Sequence, residues 1–247
     1  MEQDNILSGR VTLVTGASGG IGQALTRRLT EEGAAVALGY GTSARVAEEL
    51  AEEIVAAGGR AVAIGADLRT PAGPGKLVDA TEAALGPVEV LVANAGLGRT
   101  QELEAVSSDD FDETLAVNLR APFLLAQRTL PAMRERGFGR VLFMSSVAAF
   151  TGGIVGPHYA ASKAGLHGLT HYLAARVAPH GVTVNALAPA LISETGLLPG
   201  DPEQLRQLVP VGRLGRPDEV ADLALAVLRN PYLTNQVISL DGGIHPR

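Results

Sequence analysis

Seven short apolar runs, separated by longer stretches of helical spacing, constrain this chain more tightly than anything else in its sequence. They are Val11–Thr15, Ala34–Gly39, Ala61–Gly65, Val88–Ala93, Arg140–Ser145, Val182–Leu187 and Gln236–Leu240. Most are continuously apolar, the pattern of a parallel strand covered by helices on both faces. Between the second and third, Val46, Leu50 and Ile54 form one helical stripe, and Glu48, Glu49, Glu52 and Glu53 occupy the rest of the surface. Thr42 and Ser43 stand where that helix needs an N-cap, and Gly58-Gly59 ends it. Further helices are predicted over Gly20–Glu32, Gly75–Leu85, Ser108–Arg136, Tyr159–Ala178 and Asp218–Leu228, with Pro131 interrupting or bending the long one near its end. Such alternation, with right-handed crossovers, predicts an α/β fold: a doubly wound parallel sheet of about seven strands with helices on both faces.

A length of 247 residues suits one large α/β domain or two small ones. No linker-like composition break, repeat or low-complexity tract divides the chain, so residues 1–247 read as a single domain. One connection is irregular. Ser193–Arg216 carries Pro199, Pro202, Pro210, Gly196, Gly200, Gly212 and Gly215, and a long irregular connection reads as a substrate loop.

Composition removes several function classes. The net charge is −6 and Lys and Arg form no stripe, which argues against nucleic acid or acidic membrane as partner. The absence of cysteine excludes disulfides, thiolate metal sites and a cysteine nucleophile. Of the five histidines only His167 and His171 have metal-gripping spacing, and no Glu follows His167, so no metal is expected. The amino-terminal stretch MEQDNILSGR lacks a signal peptide's apolar core, and no run has the length of a membrane span. A soluble, cytoplasmic protein is expected.

The segment VTLVTGASGGIG (Val11–Gly22) runs an apolar strand into glycines and then a helix. Gly16 permits a tight turn, Gly20 lets backbone approach a pyrophosphate, and Gly22 lets the helix pack against the sheet. The helix N-terminus offers free N–H groups and a positive dipole end to phosphates. A Rossmann-like dinucleotide site follows from this placement, although a tight turn without a ligand has the same glycines. The second run ends at Tyr40-Gly41-Thr42-Ser43, where no acid stands to bind a ribose 2′-OH. Tyr40, Thr42 and Ser43 are candidate cofactor contacts, and Arg45 lies just beyond. This favours NADPH/NADP, with NADH as the alternative; equally, Thr42 and Ser43 are only the helix cap and Arg45 is solvated.

Tyr159 and Lys163 share one face near a helix start. An ammonium there stabilises a phenolate and lowers a pKa that is ordinarily about 10. Such a Tyr is an acid for a carbonyl oxygen that receives hydride, and a base in reverse. Ser146 follows the fifth run, at the carboxyl edge where ligands bind, and its hydroxyl can hold the same oxygen. Taken singly, the pair is an ordinary surface spacing and Ser145-Ser146 an ordinary strand end.

Together these motifs resemble the short-chain dehydrogenase/reductase family over about Gly9–Gly243: TGASGGIG (Thr15–Gly22), Asp67 in ADL, ANAG (Ala93–Gly96), Asn118 in AVNL, Ser145-Ser146, YAASK (Tyr159–Lys163) and LDGG (Leu240–Gly243). The resemblance implies that Tyr159 is the general acid and Ser146 orients the carbonyl. It implies that Lys163 binds the nicotinamide ribose and depresses the Tyr159 pKa, and that Asn118 holds, by its backbone carbonyl, a relay water. Gly16, Ser18, Gly20, Ile21 and Gly22 would hold the cofactor. Asp67 and Leu68 would take the adenine, Asn94, Ala95 and Gly96 would line the cofactor and secure the sheet, and Ile192, after Pro189, would touch the carboxamide. Two positions depart from the family pattern. Gly19 stands where many NADPH-using relatives carry Arg or Lys. Ala190 stands where Gly is common, and the expected Thr is displaced to Thr195 behind Glu194.

Within the family the chain is most like 3-oxoacyl-[acyl-carrier-protein] reductases, by the Tyr40–Ser43 segment and the ending PVGRLGRPDEVADLALAVL…DGG. The resemblance implies NADPH-dependent reduction of a 3-oxoacyl thioester, as in fatty acid biosynthesis. The alternatives are an NAD(P)-dependent dehydrogenase of a secondary alcohol, sugar or small ketone, and a non-catalytic cofactor-binding regulatory protein. An acidic carrier partner calls for basic residues at the entrance, for which Arg99, Arg134, Arg136, Arg206 and Arg213 are candidates. The alanine- and leucine-rich helices over Ser108–Arg136 and Tyr159–Ala178 imply, by the same resemblance, a homotetramer; otherwise they simply pack on the sheet.

Overall fold

All seven apolar runs become strands in the computed structural model, which describes residues 5–196, 198 and 200–245. Pro199, counted in the predicted loop, and Met1–Asp4 of the amino-terminal stretch lie outside the described residues. The strands are β1 (Val11–Thr15), β2 (Ala35–Tyr40), β3 (Arg60–Gly65), β4 (Val90–Ala93), β5 (Gly139–Met144), β6 (Val182–Pro189) and β7 (Val237–Leu240). They form one sheet in the order β3-β2-β1-β4-β5-β6-β7, every neighbouring pair parallel.

Residues along each strand point to alternate faces. Leu13 of β1 and Val141 and Phe143 of β5 enter one core. That core is closed by α3 (Gly73–Leu85), α5 (Ala121–Arg136) and α7 (Pro157–Val177). Val14, Leu142 and Met144 enter the other, closed by α1 (Gly20–Glu31), α2 (Ala44–Ala56) and α9 (Pro217–Arg229). Each fully buried leucine contributes roughly 1.5–3 kcal/mol. Two-sided cover is why the central strands carry no polar alternation; the edge strands β3 and β7 are only half-buried.

The predicted helix over Ser108–Arg136 runs unbroken, and its irregularity is not at Pro131. It comprises α4 (Ser108–Leu115), a π-helical segment (Ala116–Arg120) around Asn118, and α5. Pro131 lies inside α5 on an exposed position. The carbonyl it leaves without a helical donor, that of Gln127, is also on the exposed side, where water serves instead. Two short helices were not predicted: α6 (Ala148–Thr151), and α8 (Pro202–Gln207) within the irregular connection. No helix of the described residues is long and apolar enough to cross a membrane.

Strand succession reverses between β1 and β4, and the carboxyl ends of the strands open there into a crevice. Everything the sequence marks for chemistry lies at that edge.

Candidate active site

The crevice is a cavity of about 630 Å³. One side is the turn between β1 and α1. Gly16 takes φ +64°, a left-handed conformation that side chains resist, and a Cβ there would lie 2.8 Å from the Ala95 Cα. A Cβ at Gly22 would collide with the Gly16 carbonyl, and one at Gly20 with the Glu194 carbonyl. Gly22 therefore closes the turn on itself, and Gly20 admits the backbone that follows β6. No side chain caps α1 at Gly19, so its first N–H groups face the cavity mouth.

Asn94 ties the two strands of the reversal together. Its Nδ2 donates to the carbonyls of Thr15 (3.0 Å) and Gly16 (3.2 Å), and the Thr15 hydroxyl accepts from the N–H groups of Asn94 and Ala95, both at 3.0 Å. Gly16, Ser18, Gly20, Ile21, Gly22, Asn94, Ala95 and Gly96 all line the cavity, as do Pro189 and Ile192.

Opposite the turn stand Ser146, Tyr159 and Lys163. Ser146 stands two residues past the end of β5, and its hydroxyl accepts from the Ala148 N–H at 3.2 Å. Tyr159 and Lys163 lie on the first turns of α7, and both are buried. The Lys163 Nζ donates to the Met144 carbonyl at 2.7 Å and lies 5.6 Å from the centre of the Tyr159 ring. Burial lowers Lys163 to about 8. Burial also raises Tyr159, against which the Ser146 hydroxyl pulls downward. At Tyr159 the loss of water around the phenol outweighs the pull of the Ser146 hydroxyl.

Asn118 is fully buried outside the cavity wall. Its Oδ1 accepts from the Leu97 N–H at 2.7 Å, and its Nδ2 donates to the Leu97 carbonyl (2.8 Å) and the Ser162 hydroxyl (3.0 Å). Ser162 in turn donates to the Tyr159 carbonyl at 2.7 Å. The side chain of Asn118 thereby joins the segment that follows β4 to α7 at the level of Tyr159. A π-segment, which shifts the register of the backbone hydrogen bonds, is the local cost of placing it there.

Other expected contacts are not in the cavity wall. Tyr40, the last residue of β2, and Thr42, Ser43, Asp67 and Leu68, past the ends of β2 and β3, lie beyond it. Ser43 takes the N-cap position of α2 without a side-chain capping bond. Arg45 is 86% exposed and pairs with Glu49 at 3.7 Å. The Asp67 carboxylate is gripped at both oxygens by Arg69 (2.8 and 3.0 Å), which holds it below the usual carboxylate range. The displaced Thr195 does reach the cavity, its hydroxyl donating to the Ile192 carbonyl at 3.0 Å. Leu191 and Glu194 accommodate the displacement at φ +50° and +59°.

Of the arginines expected at the entrance, Arg134 and Arg136 are at the wrong end. They close α5 just before β5 begins, at the amino edge of the sheet. Arg99, Arg206 and Arg213 each pair with acids: Asp110 and Glu113, Glu203, and Glu219. Sequence reasoning missed the stretch from Val147 to Val155 and the carboxyl-terminal Ile244, which complete the wall. The first lies between Ser146 and Tyr159 and was traceable for that reason; nothing in the sequence marks Ile244. No cluster of His, Asp or Glu among the described residues could hold a metal ion.

A sequence profile described as short chain dehydrogenase matches residues 10–205. A 3-oxoacyl-[acyl-carrier-protein] reductase of Aquifex aeolicus is 36% identical over 245 residues, covering 96% of this chain and 98% of that protein. An L-rhamnose 1-dehydrogenase (NAD(P)(+)) of Azotobacter vinelandii is likewise 36% identical, over 97% of this chain and 98% of its own. A blue fluorescent protein from a metagenomic library, solved in complex with NADPH, superposes with a TM-score of 0.91 at 36% identity, covering 97% and 99% of the two chains.

Proposed function

The chain belongs to the short-chain dehydrogenase family and is an oxidoreductase, and we propose that it reduces a 3-oxoacyl thioester to the 3-hydroxyacyl form with NADPH. The observation that carries this reading is the meeting of Ser146, Tyr159 and Lys163 in one cavity with the glycine turn.

The residues present fit a nicotinamide dinucleotide. Backbone without side chains at Gly16, Gly20 and Gly22, and an uncapped helix of twelve residues behind them, suit a pyrophosphate. Asn94, Ala95, Gly96, Pro189 and Ile192 would flank the rest, and Tyr40, Thr42, Ser43, Asp67 and Leu68 the adenosine. When bound, the cofactor supplies a hydride to the carbonyl carbon.

Ser146 donates a hydrogen bond to the carbonyl oxygen and holds it beside Tyr159. Tyr159, kept protonated by burial, gives its phenolic proton to that oxygen as negative charge develops there. Lys163, protonated below about 8, stabilises the phenolate left behind. Asn118 fixes α7 against the segment that follows β4, so that the phenol does not swing away. Hydride and proton together make the alcohol, and the reverse sequence oxidises it.

The thioester reading draws support from the acyl-carrier relative and from two arginines close in sequence to the site: Arg99 follows Gly98, which packs near the Tyr159 ring, and Arg206 lies two residues before Leu208 of the cavity wall. Replacing Tyr159 with Phe tests the chemistry. NADPH oxidation with 3-oxoacyl thioesters is expected to fall by about 10²–10⁴, and unchanged turnover refutes it. We also propose assembly as a homotetramer, supported by exposed Phe123 and Tyr172 on α5 and α7 and by a groove formed by Leu115, Leu119, Phe123 and Leu169.

A further inference from the structure

Lys163 is the one charged side chain among the described residues that line the cavity. Past Tyr159 the wall is hydrocarbon: Ile154, Val155, Leu198, Leu208 and Ile244. The two threonine hydroxyls of the cavity wall already donate their protons to backbone, that of Thr151 to the Val147 carbonyl (3.2 Å) and that of Thr195 to the Ile192 carbonyl (3.0 Å).

The wall is held as one piece. The Asp241 carboxylate accepts from the N–H groups of Gly243 (2.9 Å) and His245 (3.1 Å), which folds the carboxyl-terminal turn. The Gly242 carbonyl accepts from the Val211 N–H at 3.2 Å, which fastens that turn to the segment leaving α8. The His245 ring stacks on Phe150 of α6 at 5.3 Å, which fastens it to the segment following Ser146. Ile244, within that turn, is therefore anchored against the segment that follows Leu208, although the two are distant in sequence.

We infer that Leu208 and Ile244, with Ile154, determine specificity by accepting a hydrocarbon substituent of the carbonyl compound and rejecting a hydroxylated one. The inference rests on the carbonyl reduction proposed above and narrows its substrate to the apolar class. Each methylene laid against this wall strengthens binding about fourfold. Each hydroxyl turned toward it loses its water with no partner in exchange, a penalty on the order of tenfold.

Titration of unreactive alcohols into the protein with NADPH present tests this without turnover, because reduced cofactor cannot oxidise them. From butan-2-ol to octan-2-ol, affinity is expected to climb about fourfold per methylene, with xylitol binding more weakly than any of them. Leu208→Ala and Ile244→Ala should flatten the climb, and Ile244→Met should restore it. A flat series in the unaltered protein, a slope unchanged in the alanine variants, or tighter binding of xylitol overturns the inference. Ketone reduction surviving in Tyr159→Phe would instead remove the proposed chemistry and leave the wall standing, since the alcohol series does not depend on it.

Discussion

At the glycine turn the cavity wall is backbone, whereas at the Leu208–Ile244 end it is hydrocarbon side chain. The first is assembled from residues close in sequence, between β1 and α1, and locked by Asn94 and Thr15 across the strand reversal. The second draws on α6 and the residues after it, the irregular connection and the carboxyl-terminal turn. Backbone cannot be trimmed or enlarged, so the first end suits a ligand that never changes. Side chains can be exchanged one at a time, so the second suits a substrate that varies among relatives as unlike as an acyl thioester reductase and a rhamnose dehydrogenase.

The largest effect should come where the two ends meet, from the loss of the Tyr159 hydroxyl described above. Next, Gly22→Ala should damage the rigid end, because its Cβ would strike the Gly16 carbonyl. Overpacking against backbone costs about 1–3 kcal/mol. A lowered melting temperature and weaker NADPH binding are both expected, and an unaffected variant would show that the turn is softer than its geometry. Leu208→Ala at the other end should leave the melting temperature nearly unchanged, since that side chain is 58% exposed.

Lys163 sets the pH dependence. With its pKa lowered to about 8, it is charged below that pH and loses its proton above it. Reduction should be flat on the acid side and decline about tenfold per unit on the alkaline side. Stability should move oppositely. The folded pKa lies below the ordinary 10.5, so the burial penalty is complete below about 8 and is relieved as pH rises toward 10.5. A rate profile paired with melting curves over this range checks both signs, and parallel rather than opposed trends would contradict the assignment.

The smallest effect is expected at Ser43. Its hydroxyl does not cap α2, so Ser43→Ala should spare stability. A single lost hydrogen bond to the cofactor is worth about 0.5–1.5 kcal/mol, a rise of roughly two- to tenfold in the KM for NADPH. A variant that melts earlier with an unchanged KM would make the residue a cap after all.

Most of the fold was legible because a two-sided parallel sheet writes itself as apolar runs. Boundaries slipped where pairing, not composition, ends a strand: β6 continues to Pro189 because Leu240 pairs with it. The groups proposed to react were legible as candidates because Ser146, Tyr159 and Lys163 sit near element ends, where ligand edges lie. The irregularity at Asn118 was misplaced to Pro131, since a proline announces itself while a π-segment answers to partners distant in the chain, Leu97 and Ser162.

The sequence alone determined the sheet, its helical cover, the glycine turn and the tyrosine–lysine spacing, because each depends on residues within a few turns of one another. Tertiary structure decided that burial outweighs the Ser146 hydroxyl at Tyr159, that the Asp67 carboxylate is held by Arg69, and that Ile244 joins Leu208 in the cavity wall. Those outcomes depend on the water excluded and the neighbours met when segments remote in the chain come together.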